Sequence, residues 1–218
     1  MAAFTEPNNL KDVLVWEAER QKSREQVTFL SGETISLGEV VGKIALTCPA
    51  TGTADGGNTG ASTCVSVTAG AKAQIGTYTL TCIAEAAGAG TFAVADPNGF
   101  ALADASVGTA YVNEQINFTL TDAGEDSNLG DIYTIEITAG SGKFVEVDAS
   151  AVDGSQVAAG ISIAGYDASA ADVEGVIIAQ DAIIVTSNLV WPAGATDDQK
   201  ASWLADLKKN RIDVREES

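Results

Sequence analysis

Along much of the chain, apolar and polar side chains alternate with a period of two, the spacing of a strand that keeps one face in a core. In residues 77–84, Tyr78, Leu80 and Cys82 share one face and Thr77, Thr79 and Thr81 the other. Ile116, Phe118 and Leu120 alternate with Asn117 and Thr119 in 115–121, and Tyr133, Ile135 and Ile137 alternate with Thr134 and Glu136 in 132–138. A shorter strand is expected over 91–95, followed by the turn signal Asp96-Pro97-Asn98-Gly99. Short alternating strands divided by turns predict a small antiparallel β-sandwich.

The two ends of the chain read differently. Strands are expected at 26–30 and 40–46, and later at 144–147 and 160–164. The apolar runs 173–179 and 182–187, separated by Gln180-Asp181, predict a hairpin. Residues 10–25, with Pro7 upstream, fit either a short helix or an extended arm. A C-terminal helix has the strongest local signals. Thr196 is an N-cap, Gln199 completes a capping box, and Trp203, Leu204 and Leu207 form an apolar stripe. Leu204 and Leu207 are expected to face the core, with Trp203 turned toward a neighbouring subunit. Asn210 is expected to close the helix in the left-handed conformation, with a last strand at 212–214. The expected fold class is mainly β (α+β), with one short C-terminal helix.

Charge divides the chain where the patterning does. Residues 1–47 hold seven acidic and five basic side chains, 48–142 hold ten acidic and one basic (Lys72), and 143–218 hold thirteen acidic and six basic. The middle stretch, bounded by the Gly-rich segments 51–62 and 139–142, reads as a β-rich domain (48–142) inserted through linkers into a discontinuous host domain (1–47 and 143–218).

Composition removes most chemistries. A net charge of −18 gives no basic face for nucleic acid. With no His, the usual general bases and many metal ligands are missing. Cys48, Cys64 and Cys82 lack a fourth zinc ligand and a CxxC pair, so reduced thiols are expected, a Cys48–Cys64 bridge being the alternative. Gly140-Ser141-Gly142-Lys143 is followed by Phe144 where a phosphate loop needs Ser or Thr. Asp122, Glu125, Asp126 and Asp131 crowd one loop without EF-hand spacing and predict a solvated turn. Asn117-Phe118-Thr119 matches a glycosylation sequon inside an expected strand. No apolar run reaches the ~20 residues of a membrane span, and the start of the chain has no secretory pattern, so a soluble protein made in a cytoplasm is expected. No catalytic residue, metal or cofactor is expected.

The flanking segments carry a resemblance. Ser23-Arg24-Glu25-Gln26-Val27-Thr28 leads through a Gly turn to Leu37-Gly38-Glu39-Val40-Val41-Gly42-Lys43-Ile44. Val152-Asp153-Gly154-Ser155-Gln156-Val157-Ala158-Ala159-Gly160-Ile161 follows the middle stretch, and Leu189-Val190-Trp191-Pro192-Ala193-Gly194-Ala195-Thr196 leads into the helix. Together they resemble the head decoration protein family of tailed, lambda-like bacteriophages, over about half the chain. The resemblance implies a β-clip-type domain and a non-enzymatic virion protein. It would sit as a homotrimer on the outer surface of the expanded capsid, bind the major capsid protein, and cement the head against DNA pressure after assembly in the host cytoplasm. It further implies that an N-terminal segment adds to the shell as a strand. Phe4, Leu10, Val13, Val15 and Trp16 would then be the apolar contacts, with Trp191 and Trp203 at the subunit interface. The alternative for Val13 and Trp16 is packing on their own subunit. Two other functions stay open: a surface-displayed module binding an external ligand such as a host-surface glycan, and a hydrolase using two carboxylates.

Overall fold

The computed structural model describes residues 9–86, 89–122 and 126–215. The protein is mainly β and divides into two compact units: Leu46–Gly140, and a unit drawn from both chain ends, up to Ala45 and from Ser141 onward.

In the Leu46–Gly140 unit the expected alternation is realised. Gly76–Ala84 pairs antiparallel with both Thr91–Ala95 and Ile132–Ala139, while Ile116–Thr121 pairs with Thr63–Ala69 and Ala110–Tyr111. Tyr78, Leu80 and Cys82, Ile116, Phe118 and Leu120, and Tyr133, Ile135 and Ile137 all enter one core shared by the two sheets. The Thr63–Ala69 strand escapes the period-two reading for a physical reason. Ser66 sits at φ 55, and the pairing slips between Asn117 and Thr119, so Cys64 and Val67 face the core although three residues apart. The Asp96 turn forms as expected, with its Oδ1 accepting from the N–H groups of Asn98 and Phe100, each at 2.9 Å.

The Gly-rich segment 51–62 is not a linker. Thr53–Ala54 pairs with Ile132–Ala139, and Asn58 exchanges two 2.7 Å hydrogen bonds with the backbone of Ile132. The buried Asp131 carboxylate accepts from the N–H groups of Thr59, Gly60 and Asn128. Burial pushes that carboxyl up, but the three donors outweigh it and hold it below the usual carboxylate range. Asp131 thus serves as a structural clamp within the acidic loop, and Glu125 lies outside the described residues.

The other unit is built on a closed barrel whose strands run, in order, Phe144–Glu146, Arg24–Phe29, Val173–Ile178, Ala158–Ser162 and Val40–Lys43, which returns to Phe144–Glu146. Consecutive strand residues point to opposite faces, and here both faces are covered. Val41 and Ile177 join Val27, Phe29 and Phe144 in one cluster, while Val40 and Ile178 join Ile161, Ile184, Trp203 and Leu207 in another. The segment 152–161 folds tightly against this barrel: Asp153 Oδ1 accepts from Ser155 N at 2.9 Å and Ser155 Oγ at 2.6 Å. At Gly42 a Cβ would lie 2.1 Å from Ser155 O, so only glycine fits.

Several expectations change. The runs 173–179 and 182–187 do not pair as a hairpin. Val173–Ile178 is a central barrel strand, whereas Ala182–Val185 forms a separate sheet, antiparallel to Leu14–Glu17 and parallel to Ile212–Arg215. Each run is apolar on both faces and takes two neighbours, which a simple hairpin does not provide. Asp181 at φ 51 turns the chain outward, its N–H bonded to Asn210 O at 3.2 Å. Residues 10–25 are both helix and arm: Leu10–Val13 and Arg20–Ser23 are short helices, with the strand Leu14–Glu17 between them.

The C-terminal helix is Asp197–Lys209, capped by Thr196 with Gln199 reaching back in the reciprocal box. Asn210 lies at φ −88, and Arg211, at φ 59, makes the left-handed turn in its place. An ion pair between Arg211 and Asp181 joins these two left-handed residues. Trp203 and Leu207, one turn apart, are the buried pair, and Leu204 is only partly buried. Trp203 therefore packs within its own unit. Urea denaturation should show Thr196→Ala costing about 1 kcal/mol and Leu207→Ala about 2–5 kcal/mol. Leu204→Ala should cost distinctly less than Leu207→Ala; the reverse order would refute this core.

Candidate functional site

Three surface features of the barrel unit stand out. The first is the strand Leu14–Glu17, which among the described residues pairs with one neighbour and leaves its other edge unpaired. Leu10 is half-buried on the helix before it, and Val13 is 1% exposed against Gly38, whose added Cβ would meet it at 3.0 Å. A bulge between Leu14 and Trp16 lets two successive side chains point outward, leaving Val15 50% and Trp16 54% exposed. Glu17 anchors the strand end. Its carboxylate accepts from Arg24 Nη2 at 2.6 Å and Nε at 2.8 Å, and from Ser23 Oγ at 3.0 Å. The Arg24 bond, against an opposing burial effect, holds Glu17 below its ordinary range.

Of the residues expected to contact a shell, Val15 and Trp16 are thus presented outward. Leu10 is partly covered, Val13 belongs to the unit's own core, and Phe4 lies outside the described residues. The second feature is the tryptophan pair expected at a subunit interface. Trp191 stacks on Trp203 with centroids 6.0 Å apart and planes at 14°, and Trp203 Nε1 donates to Gln156 O at 3.0 Å. Trp203 is 3% exposed and so offers nothing to a partner. Its burial follows from the helix phase, which puts positions 203 and 207 on one inward stripe.

The third feature went unread in the sequence. A groove of about 650 Å³ is lined by Glu33, Glu146, Asp148 and Asp153, beside Pro192 and Trp203, with no Lys or Arg in its walls. Next to it Glu39 is 4% exposed, its Oε2 accepting from Ser36 N at 2.7 Å. Burial, with Glu146 and Glu33 adding to it against the Ser36 bond, raises the Glu39 carboxyl from about 4.5 to about 7. Glu146 is raised as well, by burial and then by Glu33 and Asp148. Nothing local in the sequence brings Glu39 and Glu146 together, because the middle stretch separates them; only the barrel pairing of Glu146 with Val41 does so. Among the described residues no group of three or more Cys, Asp or Glu is arranged to hold a metal ion.

The family model described as Bacteriophage lambda head decoration protein D matches residues 3–212. That match puts the protein in the class of structural phage capsid proteins. The chain belongs to the lambda head decoration protein D family, with a structural, capsid-decorating role and an association with the virion. No curated protein matches the chain. Two crystal structures of Xanthomonas campestris FlgL are similar at 14% and 16% identity, each with a TM-score of 0.31, over 51% and 52% of this chain. The chain spans 34% and 33% of those chains, and a likeness at this level says nothing about function.

Because Glu39 binds its proton more tightly when folded, stability should fall as pH rises from about 4.5 to about 7. Glu39→Gln should flatten that fall and stabilise the protein at pH 8 by about 1–3 kcal/mol. Denaturation of both proteins at pH 5 and pH 8 checks this, and equal differences at the two pH values would refute it.

Proposed function

We propose that this protein binds the outer surface of the expanded phage capsid as a homotrimer, contacts the major capsid protein, and cements the head against internal DNA pressure. The observation that carries the contact is the open-edged strand Leu14–Glu17, with Val15 and Trp16 turned outward next to the start of the chain. An open edge offers unpaired backbone donors and acceptors, and the two exposed side chains add apolar area. Leu10, half-buried, adjoins this surface; Val13, Trp191 and Trp203 hold the unit together behind it. The unit drawn from the chain ends is the capsid-binding domain, and the Leu46–Gly140 unit is a passenger carried on the solvent side.

A second reading has its own observation. At one end of the Leu46–Gly140 unit three loops meet around Gln74, which bonds Asn98, Asp96 and Gln115. Ile75, Phe100 and Val112 on these loops are exposed. This end suits an external ligand, and binding of the isolated unit on a glycan array tests it.

Two results are expected on expanded shells lacking the decoration protein. Trp16→Ala should weaken binding at least about tenfold with unchanged thermal stability; parent-like binding would remove this strand from the contact. Joining Ala45 to Ser141 by a short Gly-Ser linker should leave a folded, shell-binding protein, because Gly142 N already donates to Ile44 O at 2.9 Å and Ile44 N to Lys143 O at 2.9 Å. Aggregation of that deletion would refute the two-domain reading.

A further inference from the structure

The turn Asp96-Pro97-Asn98-Gly99 holds a reactive pair of residues. Asn98 is the one asparagine of the nine in the sequence that glycine follows. Where the next residue has no Cβ, its backbone nitrogen can swing close to the side-chain amide before it. Asn98 and Gly99 are both exposed, Gly99 lies at φ 81, and nothing stands within 4 Å of where its Cβ would be. Chain and water both have room to move there. Asn58, by contrast, bonds its amide to both backbone groups of Ile132, and Thr59 follows it.

The turn is fixed at its entry and latched at its tip. Pro97 packs on Gly76, where an added Cβ would lie 2.7 Å from Pro97 Cβ. Asp96, 5% exposed, accepts through Oδ1 from the N–H groups of Asn98 and Phe100. At the tip, Gly99 N donates to Asp96 O at 2.9 Å, and Asn98 Nδ2 donates to Gln74 Oε1 at 2.6 Å. These two bonds hold the attacking nitrogen and the leaving amide, so both have to open before the groups meet. An opening confined to an exposed tip costs far less than unfolding the unit. We propose that Asn98 is a self-modification site, at which Gly99 N displaces the Asn98 amide as ammonia, and that the bond to Gln74 is the latch that times the reaction.

The reaction needs no reagent besides water. Gly99 N gives its proton to hydroxide and attacks Asn98 Cγ. The new N–Cγ bond closes a succinimide ring, and Nδ2 takes a proton from water and leaves as ammonia. Water then opens the ring at either carbonyl. One opening leaves aspartate at position 98; the other leaves isoaspartate, with the main chain routed through the side-chain carbon. Ammonia is lost, water is gained, and the net charge falls by one from −18. A carboxylate has no N–H to donate, so Gln74 Oε1 loses its 2.6 Å bond and faces a negative group instead. Gln74 keeps only its longer contacts, to Asp96 at 3.5 Å and Gln115 at 3.4 Å, and the place where three loops meet is loosened.

The test incubates the full chain, Gln74→Ala and Asn98→Gln in mildly alkaline buffer. Intact mass and isoelectric focusing follow the loss of ammonia and the added charge. Tandem mass spectrometry, with isoaspartyl methyltransferase labelling, locates the site. In the parent, Asn98 should convert before any other asparagine, and Asn98→Gln should remove this first conversion. Gln74→Ala should convert about threefold to tenfold faster at position 98, the range one lost hydrogen bond supplies, with the other asparagines and the thermal unfolding unchanged. Amide exchange should quicken over residues 70–75 in the aged parent and in Asn98→Asp alike. Conversion at another asparagine first overturns the site. Gln74→Ala that folds and converts like the parent overturns the latch, as does an acceleration shared by every asparagine. Parent-like exchange in Asn98→Asp overturns the loosening.

Discussion

The barrel closes where Val40–Lys43 runs antiparallel to Phe144–Glu146, with Lys43 opposite Phe144. Phe144 also pairs with Phe29 in parallel, so this short strand is the last stave of the barrel. Without it the cluster of Val27, Phe29, Val41, Phe144 and Ile177 would open to water, and burial of such side chains contributes about 1.5–3 kcal/mol each. The residues that follow Lys43 and precede Lys143 are held together by backbone bonds between Ile44, Gly142 and Lys143. In topology, the whole Leu46–Gly140 unit occupies the place of a hairpin loop. Chain entropy makes such a placement tolerable: the closing bonds fix the loop ends, and a further doubling of loop length adds only ~0.6 kcal/mol.

What the sequence made legible follows from one-sided burial. Where a strand has one face in a core and the other in water, as at Tyr78-Thr79-Leu80-Thr81-Cys82, the alternation is visible and the strand is found. Where both faces are buried, as at Val40-Val41 and Ile177-Ile178, the apolar run is visible but its neighbours are not. The hairpin expected around Gln180-Asp181 failed for that reason. The strand at Thr63–Ala69 was hidden by one left-handed serine, and the Gly-rich segment 51–62 looked like a linker because its partners, Asp131 and Ile132, lie some seventy residues away in the sequence. The capped helix was readable because Thr196 and Gln199 interact locally; which of Trp203, Leu204 and Leu207 face inward depended on the packing partners.

The candidate surfaces divide in the same way. Val15 and Trp16 could be named as apolar residues near the chain start, but their joint outward display needed the bulge against Ile183 and Ile184. The carboxylates Glu33, Glu39 and Glu146 could not be grouped at all, since the barrel and not the sequence makes them neighbours. A residue's chemistry is local information, whereas its company belongs to the topology.

The stacked tryptophan pair has a consequence for observing the molecule. Trp16, Trp191 and Trp203 are the only three tryptophans in the chain, and all belong to the unit drawn from its ends. The Leu46–Gly140 unit holds Tyr78, Tyr111 and Tyr133 and no tryptophan. Excitation at the red edge of the indole band therefore reports on one unit alone. The near-parallel rings of Trp191 and Trp203 are close enough for their transitions to couple, giving the barrel unit a circular-dichroism signature that vanishes when the helix detaches. The molecule carries its own optical label, confined to the unit built from its two chain ends.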